Sequence, residues 1–350
     1  MRKAKSNALF LMRQQKNGHL YRGRLVSAVF VIRACTCYHL KEQKEEPEDK
    51  GGNDMIQTIG IIGLGAVGGM YADLLRRQYD SSQIICIADA ERTARYRKDG
   101  MFSNGRRLDI RYVSAEEAQP VDLLIFATKY YSLEDAMESA VRAVGPDTIV
   151  MSFLNGVISE RIVAERLHPK HLLYTTVQGM DAGKVGNQIT YQHHGSIAFG
   201  EADGSVSENV RAVREVLDRA GIPYSNPADM KRQLYNKWMA NVGVNQICAY
   251  YGCGYQGVQP GGEYRDLYIA AMEEARACAN AEGVDLTEED LNHWVGVMDS
   301  LAPDGEPSMR QDTKAGRPTE AGLFCGTVVE IAGRHGIDVP VNRMFCEAFL

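Results

Sequence analysis
Lys237, Asn241 and Asn245 stand four residues apart, twice, in the segment NKWMANVGVN (236–245), and nearly everything between them is apolar. On a helix, four residues advance about 6 Å and turn a net 40° or so, so the cation and the two amides form one slowly winding stripe about 12 Å long. A helix that is apolar on its other faces is buried. Burying an unpartnered amide costs about 1–3 kcal/mol, and a cation more. The stripe therefore fits either a ligand-filled cleft or a lysine that snorkels to solvent beside backbone-bonded amides. A second polar group gathers in PSMRQDTKAGRPTE (307–320): Ser308, Gln311 and Asp312 precede the turn AGRP, and Thr319 can cap a helix that begins at Glu320.

A third chemical feature is glycine-rich. In TIGIIGLGAVGGMYADLL, the β-branched run Ile59–Ile62 leads into Gly63-Leu64-Gly65-Ala66-Val67-Gly68, and Tyr71, Leu74 and Leu75 then keep helical spacing. Strand, glycine turn and helix start come in the order of a dinucleotide-binding loop. Gly63 allows the tight turn, Gly65 lets a pyrophosphate approach the backbone, and Gly68 lets helix and strand pack closely. The phosphates would meet the free N–H groups of the helix start. Asp89, 21 residues after Gly68 and just past the next strand, stands where an acid bonds the adenine ribose hydroxyls of NAD; Arg92, Arg95 and Arg97 offer cations for the 2′-phosphate of NADP. These two readings conflict, and a solvated helix face is the third reading of the arginines.

The elements that must position these groups alternate in type up to about residue 227. Strands are expected over 83–88, 122–129, 148–157, 171–178, 187–192 and 195–201, and helices over 133–144 and 207–221, the latter capped by Ser207 and ended by Gly221. Lys129 and Asn155 close two of the strands, which places them beside a cofactor in a doubly wound sheet; Asn155-Gly156 also reads as a plain turn. Asn226-Pro227 marks a boundary, and beyond it the strand signal stops. Helices are expected over 231–251, 263–281, 287–300 and 320–335. The fold class is thus α/β, a Rossmann-type doubly wound sheet over 55–227 followed by an all-helical domain over 228–350.

Bulk composition narrows the function classes. Residues 1–54 carry a net +5 and the remainder −11, so the acidic body speaks against nucleic acid as a partner. The first 40 residues hold eight Lys/Arg and no acid, and 41–54 reads as a solvated linker. The apolar run 25–32 is too short to span a bilayer. It is long enough for a signal-peptide core but lacks a cleavage site, and an Arg-rich transit peptide is a further reading. The expectation is a disordered arm or an overlong start before Met55. Eight scattered cysteines form no paired CxxC set and no zinc spacing, so no metal is expected and the thiols read as inert residents of a reducing cytoplasm.

The stretches IGIIGLGAVGG, ATK at Lys129, LNG at Asn155, NKWMANVGVN and PSMRQDTKAGRPTE occur in one order across about 55–345, and together the sequence resembles the ketopantoate reductase (2-dehydropantoate 2-reductase) family. The resemblance implies an N-terminal Rossmann-type domain, a C-terminal helical domain and an active site between them. It implies an enzyme that reduces the C2 ketone of 2-dehydropantoate to (R)-pantoate with NADP(H), on the way to pantothenate and coenzyme A. It makes Lys237 the catalytic lysine and Glu320 the acid that orients substrate and lysine. Asn241, Asn245 and Ser308 become substrate-holding donors, and Lys129 and Asn155 lie at the junction of nicotinamide ribose and substrate. An ammonium at that place stabilises and protonates the alkoxide as the carbonyl carbon takes hydride. Two departures stand out. Asp89 replaces the arginine of many members, which leaves NAD(H) open, and EAGLFCG (320–326) replaces E-I-D-x-x-N-G, with Gly322 and Cys325 for the Asp and Asn. The alternatives are a paralogue acting on another branched 2-oxo acid and a non-catalytic dinucleotide-binding sensor. The expected partner is a small 2-oxo acid, with no nucleic acid and no membrane, in a monomer or homodimer.

Overall fold
The computed structural model describes residues 55–350, so the expectations for 1–54 lie outside the described residues. Strands β1 (Ile59–Ile62) and β2 (Ile84–Ala88), short β3 (Phe102–Ser103) and β4 (Arg106–Arg107), and β5 (Arg111–Ser114), β6 (Leu123–Phe126) and β7 (Ile149–Ser152) come first. Strands β8 (His171–Met180), β9 (Gly183–Val185), β10 (Gln188–Thr190), β11 (His194–Gly200) and β12 (Tyr224–Ser225) follow. Eight of them form one sheet in the order β12-β11-β8-β7-β6-β1-β2-β5, parallel except where β8 meets β11. Strands β1, β6 and β7 are buried at every residue, as expected of parallel strands covered by helices on both faces. Helices α1 (Ala66–Arg76), α2 (Ala90–Asp99), α3 (Leu133–Ala140), α4 (Ser159–Leu167) and α5 (Glu208–Ala220) provide that cover. The chain runs outward from β1 to β2 and β5, then returns to β6 on the other side of β1, which makes the β1/β6 gap the topological switch point.

Glycine sets the geometry at that gap. Gly63 has φ +101°, and a Cβ on Gly68 would run into the Gly63 carbonyl oxygen. The same closeness brings the second, four-stranded sheet (β4-β3-β10-β9) onto α1, where a Cβ on Gly69 would strike Ile189. Its β3–β4 turn is Asn104-Gly105, both at positive φ, the signature of a two-residue hairpin. Tyr191 and Arg77 both bond the Asp73 carboxylate at 2.6 and 2.8 Å and fasten the small sheet to α1.

From residue 230 to 349 the regular structure is helical: α6 (Met230–Tyr251), α7 (Arg265–Ala281), α8 (Glu288–Ser300), α9 (Ser308–Lys314), α10 (Cys325–His335) and α11 (Pro340–Phe349). Asp229 caps α6 by accepting from Arg232 N, and Gly252 ends it in the left-handed region. Thr287 and Asp290 make a capping box on α8. Trp238, 1% exposed, donates Nε1 to Leu323 O at 2.8 Å and pins α6 under the segment that leads into α10. The helical core also takes in Ile158, Tyr130, Val157 and Ile162 from the α/β half. Among the described residues no helix is long and apolar enough to cross a membrane.

Two sequence expectations need correction. The helix expected to begin at Glu320 begins at Cys325, and residues Ala321–Leu323 form a 3₁₀ turn instead. Glu320 does not cap: its carboxylate is taken by Lys129 and the Tyr130 N–H, and Phe324 (φ −107°, ψ −96°) breaks the helical path. Helices α9 and α11 were not expected. The first has seven residues, too few for a periodic signal, whereas the second carries Pro340 at its first turn, a start signal.

Candidate active site
Both strands that border the switch point end before their polar residues. β6 stops at Phe126 and β7 at Ser152, so Lys129 and Asn155 lie three residues beyond the ladder on loops that turn toward the helical half. Lys237, on the second turn of α6, reaches across and donates to Asn155 Oδ1 at 3.1 Å and to the Val177 carbonyl of β8 at 2.7 Å. It is half-buried. Burial pushes its ammonium down to about 8, against the opposing pull of the Glu320 charge.

Glu320 bonds a different lysine. Lys129 Nζ lies 2.9 Å from Glu320 Oε2 and 3.0 Å from Asp312 Oδ2, and Arg317 Nε holds the other Asp312 oxygen at 2.8 Å. Burial alone would lower Lys129, but the Glu320 charge and the carboxylate hydrogen bonds outweigh it and its pKa is raised overall. Asp312 and Glu320 are 6% and 5% exposed at the side chain. The expected orienting contact from Glu320 to Lys237 is therefore electrostatic, while the direct bond goes to Lys129.

The amide stripe on α6 continues as a chain. Asn245 Nδ2 donates to Asn241 Oδ1 at 3.1 Å, and Asn245 Oδ1 accepts from Ser308 Oγ at 3.2 Å and Met309 N at 3.1 Å. Asn245 is 3% exposed, Asn241 half-buried and Ser308 exposed. Asn245 thus ties the start of α9 to α6, and Asn241 and Ser308 are the members of the trio with accessible surface. So the structure brings Lys237, Asn155, Asn241, Asn245 and Ser308 to one side of α6, with Lys129 and Glu320 forming the adjoining cluster.

The glycine loop Gly63–Gly68 opens on a crevice of about 360 Å³ whose walls include Gly63, Leu64, Asp89, Arg92, Glu116 and Thr128. Asp89 caps α2, accepting from Arg92 N at 2.7 Å, and its other oxygen is 3.3 Å from Arg92 Nε. Arg97 bonds the Tyr112 carbonyl and Glu117. Arg95 leans on the Tyr96 ring. The loop's close-packed glycines, the open helix start and the polar rim fit a dinucleotide.

Sequence reading left Lys184 and Glu160 unnamed and gave Asp312 no partner. Lys184 on β9 donates to the Leu64 carbonyl inside the glycine loop at 2.6 Å, and burial lowers its pKa, with Arg95 and Arg92 adding to the effect. Only the small sheet carries it there, so spacing gave no signal. Asp312 shares a helix face with Ser308, four residues apart, and that periodicity was readable. Glu160, 2% exposed, accepts from Ser159, which accepts from Ser152; burial pushes it up to about 7.

Comparison with known proteins fits this geometry. Residues 59–204 match the family model described as ketopantoate reductase PanE/ApbA, and residues 229–349 match the model of that family's C-terminal part. The chain belongs to the ketopantoate reductase family. Its relatives include the 2-dehydropantoate 2-reductase of Archaeoglobus fulgidus, 27% identical over 293 residues, 82% of this chain and 95% of that protein. That of Vibrio cholerae is 24% identical over 287 residues, 81% and 94% of the two chains. Among solved structures, a PanE/ApbA family ketopantoate reductase from Ralstonia eutropha JMP134 superposes with a TM-score of 0.72 at 22% identity, covering 82% of this chain and 95% of that one. A D-mandelate dehydrogenase solved with NADH and anilino(oxo)acetate superposes at 0.71 and 21%, covering 83% and 96%. These structural likenesses speak for the fold. As a ketopantoate reductase family member, the protein is an oxidoreductase of a group that uses NAD(P)H. Among the described residues no cluster of three His, Cys, Asp or Glu is arranged to hold a metal ion.

Proposed function
We propose that this chain reduces the C2 ketone of 2-dehydropantoate to (R)-pantoate, with Lys237 as proton donor and NADH preferred over NADPH. The observation that carries the reading is the Lys237 ammonium, buried at the junction of the halves beside Asn155 and lowered toward neutral pH. Bound nicotinamide cofactor supplies the hydride. Lys237 holds a proton at Nζ for the ketone oxygen, and its charge offsets the negative charge that oxygen gains. Asn241 and Ser308 offer hydrogen bonds for the substrate's hydroxyl and carboxylate, and Asn245 holds them in register. Lys129, fixed by Glu320 and Asp312, adds a second cation at the same mouth.

The cofactor preference rests on the crevice rim. Asp89 and Glu116 line it, while Arg92, Arg95 and Arg97 are engaged with Asp89, Tyr96, and Tyr112 with Glu117. A 2′-phosphate would meet carboxylates before it met an uncommitted cation. A cytoplasmic setting accords with the six free cysteines of the described region.

A second reading, a paralogue for another branched 2-oxo acid, is favoured by Gly322. A Cβ there would lie 2.9 Å from the Tyr130 ring, so Tyr130 occupies space that the family's Asp would contest. Steady-state reduction of 2-dehydropantoate and other branched 2-oxo acids, each with NADH and NADPH, tests both. The first reading requires the highest kcat/KM for 2-dehydropantoate with NADH. A higher value for another acid moves the assignment to the second reading. NADH binding without turnover of any acid would leave a sensor. Asp89→Arg is expected to raise the NADPH/NADH efficiency ratio at least ~10-fold, the size of one charge-assisted contact; an unchanged ratio removes Asp89 as selector.

A further inference from the structure
Helix α6 ends at Gly252 with φ +71° and ψ +24°, a left-handed cap. In such a cap the residue after the glycine folds back onto the side chain five residues before it, usually as a contact between two apolar groups. Here those residues are Cys253 and Cys248, and their side chains interact directly. Neither belongs to the site described above. Cys248 is fully buried, with its Sγ 3.7 Å from the Gly254 carbonyl, whereas Cys253 is half-buried and reachable from solvent. Gly257 leaves room for the Cys253 sulfur: any Cβ there would come within 2.5 Å of it. The Arg310 guanidinium packs over Gly252, with Glu306 at 3.7 Å from it, and Glu263 faces Cys253 from the other side. The interaction between the two thiols draws Cys253 down and Cys248 up, and the Arg310 charge adds to the first effect.

We propose that Cys253 and Cys248 form a peroxide-reactive dithiol at the end of the helix that carries Lys237. The Cys253 thiolate attacks one oxygen of hydrogen peroxide; an S–O bond forms, the O–O bond breaks, and the leaving hydroxide takes a proton to become water. The Cys248 thiol then attacks the sulfenic sulfur, forming S–S and breaking S–O, and its proton leaves with the hydroxide as a second water. Two thiols lose two electrons and the peroxide gains them. A second contacting pair, Cys325 and Cys346, provides an internal comparison. Burial pushes Cys325 up to about 12, so that pair stays reduced when the first is oxidised.

The test uses the full chain and hydrogen peroxide, with residual thiols then alkylated under denaturing conditions and the protein cut with trypsin. Cleavage after Lys237 and Arg265 yields a peptide, 238–265, whose cysteines are Cys248 and Cys253 alone. The expected result is a peptide two hydrogens lighter that has lost both alkylation sites, restored by dithiothreitol, at doses that leave Cys325 and Cys346 alkylatable. Cys248→Ser should leave Cys253 as a sulfenic acid that dimedone captures, and Cys253→Ser should leave Cys248 fully alkylatable. Full alkylation of 238–265 at doses that oxidise Cys325 and Cys346 would overturn the proposal. So would a sulfinic acid on Cys253 of the unaltered chain with Cys248 still free.

Discussion

Lys237 is where the chemistry can be tested most directly. A proton donor must be protonated to act, and its pKa near 8 arises because burial disfavours the ammonium more than the Glu320 charge favours it. In the reductive direction kcat/KM should therefore hold steady below pH 8 and fall about tenfold per unit above it. Lys237→Arg should carry that limb beyond pH 10, since a guanidinium does not titrate there. Lys237→Ala should lower kcat at least ~100-fold, the range for losing a general acid, with NADH binding retained. A loss of less than tenfold in a folded variant would remove it from the reaction.

At the scale of elements, the small sheet acts on the glycine loop through Lys184. Removing a charge-assisted bond costs about 1.5–3 kcal/mol, so Lys184→Met should raise KM for NADH about tenfold while kcat changes less than twofold, and Lys184→Arg should recover part of the loss. Equal falls in kcat and kcat/KM would instead assign it a part in the chemical step. This contact also shows what sequence could and could not reveal. β1, the glycine loop and α1 were readable because each depends on local spacing, as was α6, whose cap, apolar faces and Gly252 all lie within its own segment. The stripe Lys237–Asn241–Asn245 was readable for the same reason, although its period could not tell that Asn245 is consumed in holding α9. Glu320 was misassigned to a helix start because Thr-Glu before an apolar run is a local signal, and the Lys129 that claims it is 191 residues away. Asn104-Gly105 announces a hairpin, yet strands of two residues carry no alternation to register.

For the whole molecule, the question is what couples the two halves across the crevice. The Lys129 side chain comes from the loop after β6, and the two carboxylates it bonds come from the helical half. Each carboxylate is nearly buried, so deleting the lysine leaves two like charges with reduced hydration. Arg317 still compensates Asp312, and Lys129 is 39% exposed, so solvent screens part of the interaction. The net effect of Lys129→Met should be about 1–2 kcal/mol, or roughly 2–5 °C in Tm. The sign with pH follows from the raised folded pKa of Lys129. Its stabilising contribution is complete below the ordinary lysine value of 10.5 and is lost only as pH climbs through the higher folded value. Across pH 6–9 the Tm difference between the parent chain and Lys129→Met should therefore stay constant. Pairing the change with Glu320→Gln should recover part of the loss, because the carboxylate left without its cation is then neutral. If the double variant melts below Lys129→Met, Glu320 holds the halves through its bond to the Tyr130 N–H rather than through the ion pair, and the coupling across the crevice runs through backbone.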